Sequence, residues 1–293
     1  MPPMEADNRH NASTEKPRGR ISSLKFEMKG HCTLEIKERN GKILKTLSGE
    51  HFSEEAIRLL NQEIIPEVKD NNDWLFLVEG GEAITYVGNA TGEVPFAVNF
   101  AEQNKIPVRD PIVTPYDLEV IELYVKTNND PDTSYERIIG SLVLQSMKDM
   151  ESNRIEKVME PIAAIYDMSA DRLLYCLQEA LSKIEENLSD QFWDWEKNLR
   201  DKLLDTSNVI SIQILDYYLR SFDANNVLLY CGKAHKPMIE IEQSQIPSFL
   251  KLTDLDIEHI ASERLKRYRR INERIDRWSE KNKKSPKTDF SET

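Results

Sequence analysis

Two apolar runs of strand length, each closed by glycine, constrain this chain more than any other feature. They are Trp74-Leu75-Phe76-Leu77-Val78, which runs into Glu79-Gly80-Gly81, and Val227-Leu228-Leu229-Tyr230-Cys231, which runs into Gly232. A strand with one wet face alternates apolar and polar residues. An unbroken run needs cover on both faces, which calls for a sheet with helices on either side. Between the runs, from about Asp117 to Phe222, glycine almost vanishes and apolar residues recur at helical spacing, as in Leu173, Leu177, Ala180, Ile184 and Leu188. The expected fold is α/β (α+β): a mixed central sheet, helices on its faces, and a helical insertion over about 117–222 before the last core strand.

The remaining elements fit that plan. TLEIKERNGKILKTL alternates on both sides of Asn40-Gly41, which predicts an antiparallel hairpin near the start of the sheet. SEEAIRLLNQEI spaces Ile57, Leu60 and Ile64 along one helix face behind an acidic first turn. GEVPFAVNFAEQNK reads as a helix with Pro95 in its first turn and IPVRDPI as a short strand, so a parallel crossover follows the first apolar run. A last helix, DLDIEHIASERLKRYRRINERIDRW, carries Ile257, Ile260, Leu265, Ile271 and Ile275. Residues 1–20 and 281–293 are polar and aperiodic, so they read as a disordered leader and tail around one domain over 21–280. Trp193 and Trp195 stand two apart and cannot share a helix face, which predicts one in the core and the other partly exposed.

Composition removes several function classes. A formal net charge of -12 over 293 residues argues against gripping nucleic-acid phosphates, which takes concentrated Lys and Arg. There is no apolar stretch of about 20 residues to span a bilayer and no signal-peptide core near the start, so the expected location is cytoplasmic. The three cysteines, Cys32, Cys176 and Cys231, are far apart and form neither a disulfide framework nor a thiolate zinc motif. Cys231 reads as a small buried hydrophobe. The stretch RLKRYRRINERIDRW concentrates positive charge on a helix, which allows a protein partner there, although the interspersed acids also suit a solvated face.

Four polar points fall at the ends of the expected strands, where open α/β sheets bind ligands: Gly49-Glu50-His51, Glu79-Gly80-Gly81, Arg109-Asp110 and Gly232-Lys233-Ala234-His235. If the strands are parallel neighbours, these loops converge. Two imidazoles with one or two carboxylates can hold a divalent transition metal that makes hydroxide near neutral pH, or can work without metal as base, acid and orienter. Glu79 closes so apolar a strand that its carboxylate must find water, a donor or a metal. Asp110 before Pro111 also suits the start of a turn.

In order and spacing, SGEHFS, LFLVEG, GEVPFAVNFAEQNKIPVRDPIVT and VLLYCGKAHKPM, spread from Ser48 to Met238, resemble the superfamily that joins the Tiki and TraB proteins with the erythromycin esterases. That resemblance implies a hydrolase of an ester or amide bond acting on a small molecule or a peptide. It implies Glu50, His51, Glu79 and His235 as catalytic residues, and His51, Glu79 and His235 as ligands of a divalent cation such as Mn, Co or Zn. Gly49, Gly80, Arg109, Asp110 and Gly232 would line the substrate. The alternative is a catalytically inactive relative serving as a protein-interaction scaffold through its helical insertion or its basic C-terminal helix. The chain departs from the pattern in three places. One residue instead of two separates Gly49 from His51, Asp110-Pro111 stands for Asp-Arg, and Ser207-Asn208 stands for Arg-Asn. The last change removes an expected anchor for an oxygen atom, for which Arg109 and Arg220 are the candidate substitutes.

Overall fold

The computed structural model describes residues 24–27, 32–49, 54–70, 73–81, 93–128, 133–148, 152–186 and 189–283. Glu50, His51, residues 1–20 and residues 284–293 lie outside this set. The hairpin forms as its turn chemistry dictates: β2 (Cys32–Arg39) and β3 (Lys42–Gly49) pair antiparallel about Asn40 and Gly41, whose φ values of 52° and 74° are left-handed. β1 (Leu24–Glu27) pairs antiparallel with β2 at the sheet edge. A helical stretch follows, made of α1 (Glu54–Leu59), a π-helical turn (Leu60–Ile64) and α2 (Ile65–Asp70). Then come β4 (Trp74–Val78), α3 (Glu93–Gln103) and the two-residue β5 (Val108–Arg109), parallel to β4.

The insertion comprises α4 (Leu118–Thr127), α5 (Tyr135–Met147), α6 (Ser152–Ile165), α7 (Ala170–Glu186) and the long α8 (Ser189–Ser221). After it, β6 (Asn226–Gly232) inserts between β3 and β4 and runs parallel to both, which gives the sheet order β1-β2-β3-β6-β4-β5. The second apolar run is therefore an inner strand of the sheet, as its unbroken hydrophobicity requires. Val227, Leu229 and Cys231 face the core shared with the insertion, while Leu228 and Tyr230 face the core shared with α1, α2 and α3. β4 divides its side chains the same way, with Leu75 and Leu77 on one face and Trp74, Phe76 and Val78 on the other.

Inside the insertion, α5 and α7 approach so closely at Gly140 that a Cβ there would lie 2.0 Å from the carbonyl oxygen of Cys176. The expectation for the two tryptophans is corrected. Phe192 is the buried ring, at 1% exposure, and Trp193 and Trp195 are both half-buried against it, with centroids 5.0 and 5.7 Å away. Lys148 lies over the Trp193 ring.

Beyond β6, a 3₁₀ segment (Lys233–Glu240) leads to α9 (Asp254–Lys283). The hairpin clamps this segment. Arg39 donates twice to the buried carboxylate of Asp216 on α8, at 2.6 and 2.8 Å, and also to the carbonyls of Ile239 and Ile241. α9 starts at a reciprocal cap in which Asp256 N–H donates to Thr253 Oγ1 and Thr253 N–H to Asp256 Oδ2. Ile257 is buried on this helix as its spacing predicts, but further along the buried positions are Arg264 and Arg267, at 3% and 4% exposure, while Leu265 is half-buried. Arginine goes inside there because the facing elements are acidic. Arg267 pairs with Asp117 at 2.5 Å and with Glu119, and Arg264 with Asp110. Among the described residues, no helix is long and apolar enough to cross a membrane.

Candidate active site

Because β3, β6, β4 and β5 are parallel, their carboxyl ends share one edge of the sheet, as the strand-end residues required. Gly49 lies opposite Gly232, and Val78 opposite Tyr230. The chain leaves β4 at Glu79 with its N–H still bonded to the Tyr230 carbonyl at 2.9 Å. The Glu79 carboxylate turns toward β6, where Oε2 accepts the Gly232 N–H at 2.5 Å. His235, in the first turn of the 3₁₀ segment, sets Nε2 3.7 Å from Oε1 of the same carboxylate. Both side chains are largely enclosed, at 6% exposure for His235 and 13% for Glu79.

Asn208 fixes the imidazole. It sits within α8 at 5% exposure, and its Nδ2 donates to the Ala234 carbonyl at 3.5 Å, which turns Oδ1 toward the ring, 3.0 Å from His235 Nδ1. An amide oxygen only accepts, so the shared proton belongs to Nδ1. In the neutral ring Nε2 then carries the lone pair, on the side of Glu79. In the sequence reading Asn208 figures only within the Ser207-Asn208 that stands for Arg-Asn, with no role of its own. The local signal is an asparagine, a poor helix former, beside the apolar run Val209-Ile210 in mid-helix. Its neighbour Ser207 donates to the Val113 carbonyl, and Ser211 accepts the Val113 N–H at 3.0 Å, so α8 also holds the segment that follows Asp110.

The residues expected to line the substrate are mostly engaged within the chain. Gly80 takes φ 70°, which a side chain rarely adopts, and its N–H donates to Asp110 Oδ2 at 3.0 Å. Asp110 Oδ1 accepts the Ile112 N–H at 3.0 Å, so the residue does form the turn its place before Pro111 suggests. Gly232 N–H is held by Glu79, and Gly232 itself has an ordinary φ of −61°. Gly49 is buried at the end of β3. Arg109 points to the opposite end of the strands, where its guanidinium lies 5.1 Å from the Phe222 ring centroid, and Arg220 pairs with Asp254 at 3.0 Å. Arg264 of α9 reaches the turn after β5, where it donates to both the carboxylate and the carbonyl of Asp110, at 3.2 and 3.3 Å, and to the Ile112 carbonyl.

Cys231, next to these groups, is fully buried, and burial with the Glu79 charge second pushes its thiol far above the usual range. A thiol held protonated is a poor nucleophile, in keeping with the reading of Cys231 as a core residue.

Among the described residues, no three His, Cys, Asp or Glu side chains gather to hold a metal. The pair His235 Nε2 and Glu79 Oε1 does fit two positions on one ion. A lone-pair nitrogen and a carboxylate oxygen 3.7 Å apart are closer than two bonds of about 2.1 Å laid end to end. His51, the third ligand implied by the resemblance, and Glu50 follow β3 directly but lie outside the described residues. Searches of protein-family models, of curated proteins and of solved structures each found no match to this chain.

Proposed function

We propose that the chain is a divergent relative of the Tiki, TraB and erythromycin-esterase hydrolases that cleaves an ester or amide bond of a small molecule or peptide at the carboxyl edge of its sheet. The observation that carries this reading is the 3.7 Å approach of His235 Nε2 to Glu79 Oε1, with Asn208 holding the other ring nitrogen. An imidazole with its tautomer fixed and a carboxylate steadied by the Gly232 backbone are prepared groups for hydrolysis, because little reorganisation is left to the reaction itself.

In this reading His51, Glu79 and His235 hold a divalent cation such as Mn, Co or Zn. When bound, the cation supplies Lewis acidity to the carbonyl and acidifies a water near neutral pH. The chain's own groups do the rest. Asn208 keeps the Nε2 lone pair directed at the site, and the Gly232 N–H binds one oxygen of Glu79 so that the other turns inward. Glu50, beside His51, supplies a further carboxylate for proton transfer.

One arm of the scaffold alternative draws on the basic final helix, yet four of that helix's arginines are engaged with the rest of the chain. Arg264 and Arg267 are buried in ion pairs, while Arg270 and Arg274 pair with Asp167 and Glu160. The hydrolase reading is tested by elemental analysis of the chain after exposure to Mn, Co or Zn, alongside turnover of a panel of activated esters and peptide amides. The wild-type chain should take up metal and turn over at least one class, and the double variant His51→Ala/His235→Ala should do neither. A double variant with unchanged uptake and rate rejects the reading.

A further inference from the structure

We infer that Arg264, from the final helix, is a positioning residue for Glu79, acting through Asp110 and the Gly80 backbone. The inference rests on the reading of Glu79 and His235 as the site. Glu79 leads directly into Gly80, whose left-handed φ of 70° sets the course of the chain at that point. That turn is held from outside by Asp110 Oδ2, at 3.0 Å from the Gly80 nitrogen. Asp110 is 2% exposed, and a buried carboxylate keeps its charge only with compensation. Two backbone N–H groups, from Gly80 and Ile112, supply part of it, and the Arg264 guanidinium at 3.2 Å supplies the countercharge. Without Arg264, Asp110 loses that countercharge, its grip on Gly80 weakens and the Glu79 carboxylate loses its fixed approach to His235.

Arg267 provides the control. It is as buried, on the same helix, and tied to acidic partners, but those partners are Asp117 and Glu119 and not the residue that holds Gly80. A role limited to docking the helix is shared by both arginines, whereas a positioning role belongs to Arg264 alone.

The test compares wild type, Arg264→Met, Arg267→Met, Asp110→Ala and Arg264→Met/Asp110→Ala, each confirmed as folded by circular dichroism. Amide hydrogen exchange at Gly80 is read by NMR of the ¹⁵N-labelled full chain, and Co²⁺ is titrated by its visible absorption. Arg264→Met should speed Gly80 exchange and weaken Co²⁺ binding by about tenfold, the lower end for outer-shell partners of metal ligands. Arg267→Met should leave both near wild type. In the Asp110→Ala background, Arg264→Met should have no further effect on either readout, since the route through Asp110 is already cut. Equal effects from the two arginines, no change in Gly80 exchange, or an Arg264 effect that survives in the Asp110→Ala background overturns the inference. A wild-type chain that takes up no Co²⁺ overturns the metal-site reading instead, and Gly80 exchange alone then decides the role of Arg264.

Discussion

Oδ1 of Asn208 lies 3.0 Å from Nδ1 of His235, so a residue in the middle of a 33-residue helix determines which nitrogen of a strand-end imidazole carries the proton. Replacing Asn208 by Ala removes that acceptor and lets the ring populate both tautomers. In ¹⁵N spectra of the histidine side chains at mildly alkaline pH, His235 of the wild type should show a protonated Nδ1 and an unprotonated Nε2. The variant should show a mixture. A wild-type ring protonated mainly at Nε2 contradicts the assignment.

Gly140→Ala should reverse the usual sign of such a change. In a helix interior the substitution ordinarily gains about 1 kcal/mol. Here the new Cβ meets the Cys176 carbonyl oxygen at 2.0 Å and the Ala180 Cβ at 2.9 Å, so α5 and α7 must part. Urea unfolding should show a loss of about 1–3 kcal/mol, the cost of overpacking. A variant more stable than wild type refutes the close approach.

Stability should fall in alkali. Burial pushes the Cys231 thiol and the Tyr166 and Tyr268 phenols well above their usual ranges, and raises Tyr135 to about 12. The folded chain therefore keeps protons that the unfolded chain releases from about pH 8.5 for a thiol and about pH 10 for a phenol. The stability tied to these groups is complete below those values and is lost as pH rises through them toward the folded-state values. Urea midpoints should be flat from neutrality to about pH 8 and then drop steeply by pH 11, and Tyr135→Phe should make the drop shallower. A midpoint that holds to pH 11 counts against the burial of these side chains.

Much of the fold is written locally. Asn40-Gly41 fixes the hairpin through its left-handed torsions, and the apolar runs at 74–78 and 227–231 identify strands covered on both faces. Glycine depletion marks the insertion. The order of the strands is not local: the insertion of β6 between β3 and β4 depends on complementarity between segments far apart in sequence. The same distinction divides the site. Glu79 stands out as an acid ending an apolar strand, and His235 as an imidazole just past another. Asn208 and Arg264 do not, since each gains its role from a partner that the tertiary fold brings to it. Arg264 is hidden more deeply, because a guanidinium among alternating charges reads as solvated until Asp110 is found opposite. For Arg109, a place at a strand end does not set the direction of the side chain, which lies along Phe222.

The late arrival of β6 also bears on biosynthesis. Until residues 226–232 leave the ribosome, β3 and β4 have no neighbour for the edges that will face each other across the middle of the sheet, and the nascent chain carries two open templates for intermolecular pairing. The helices made in the interval can pack among themselves, but the sheet closes only when β6 is threaded in. Folding of the sheet should therefore be paced by a long-range event that follows the synthesis of β6, and chaperone dependence should be concentrated before it.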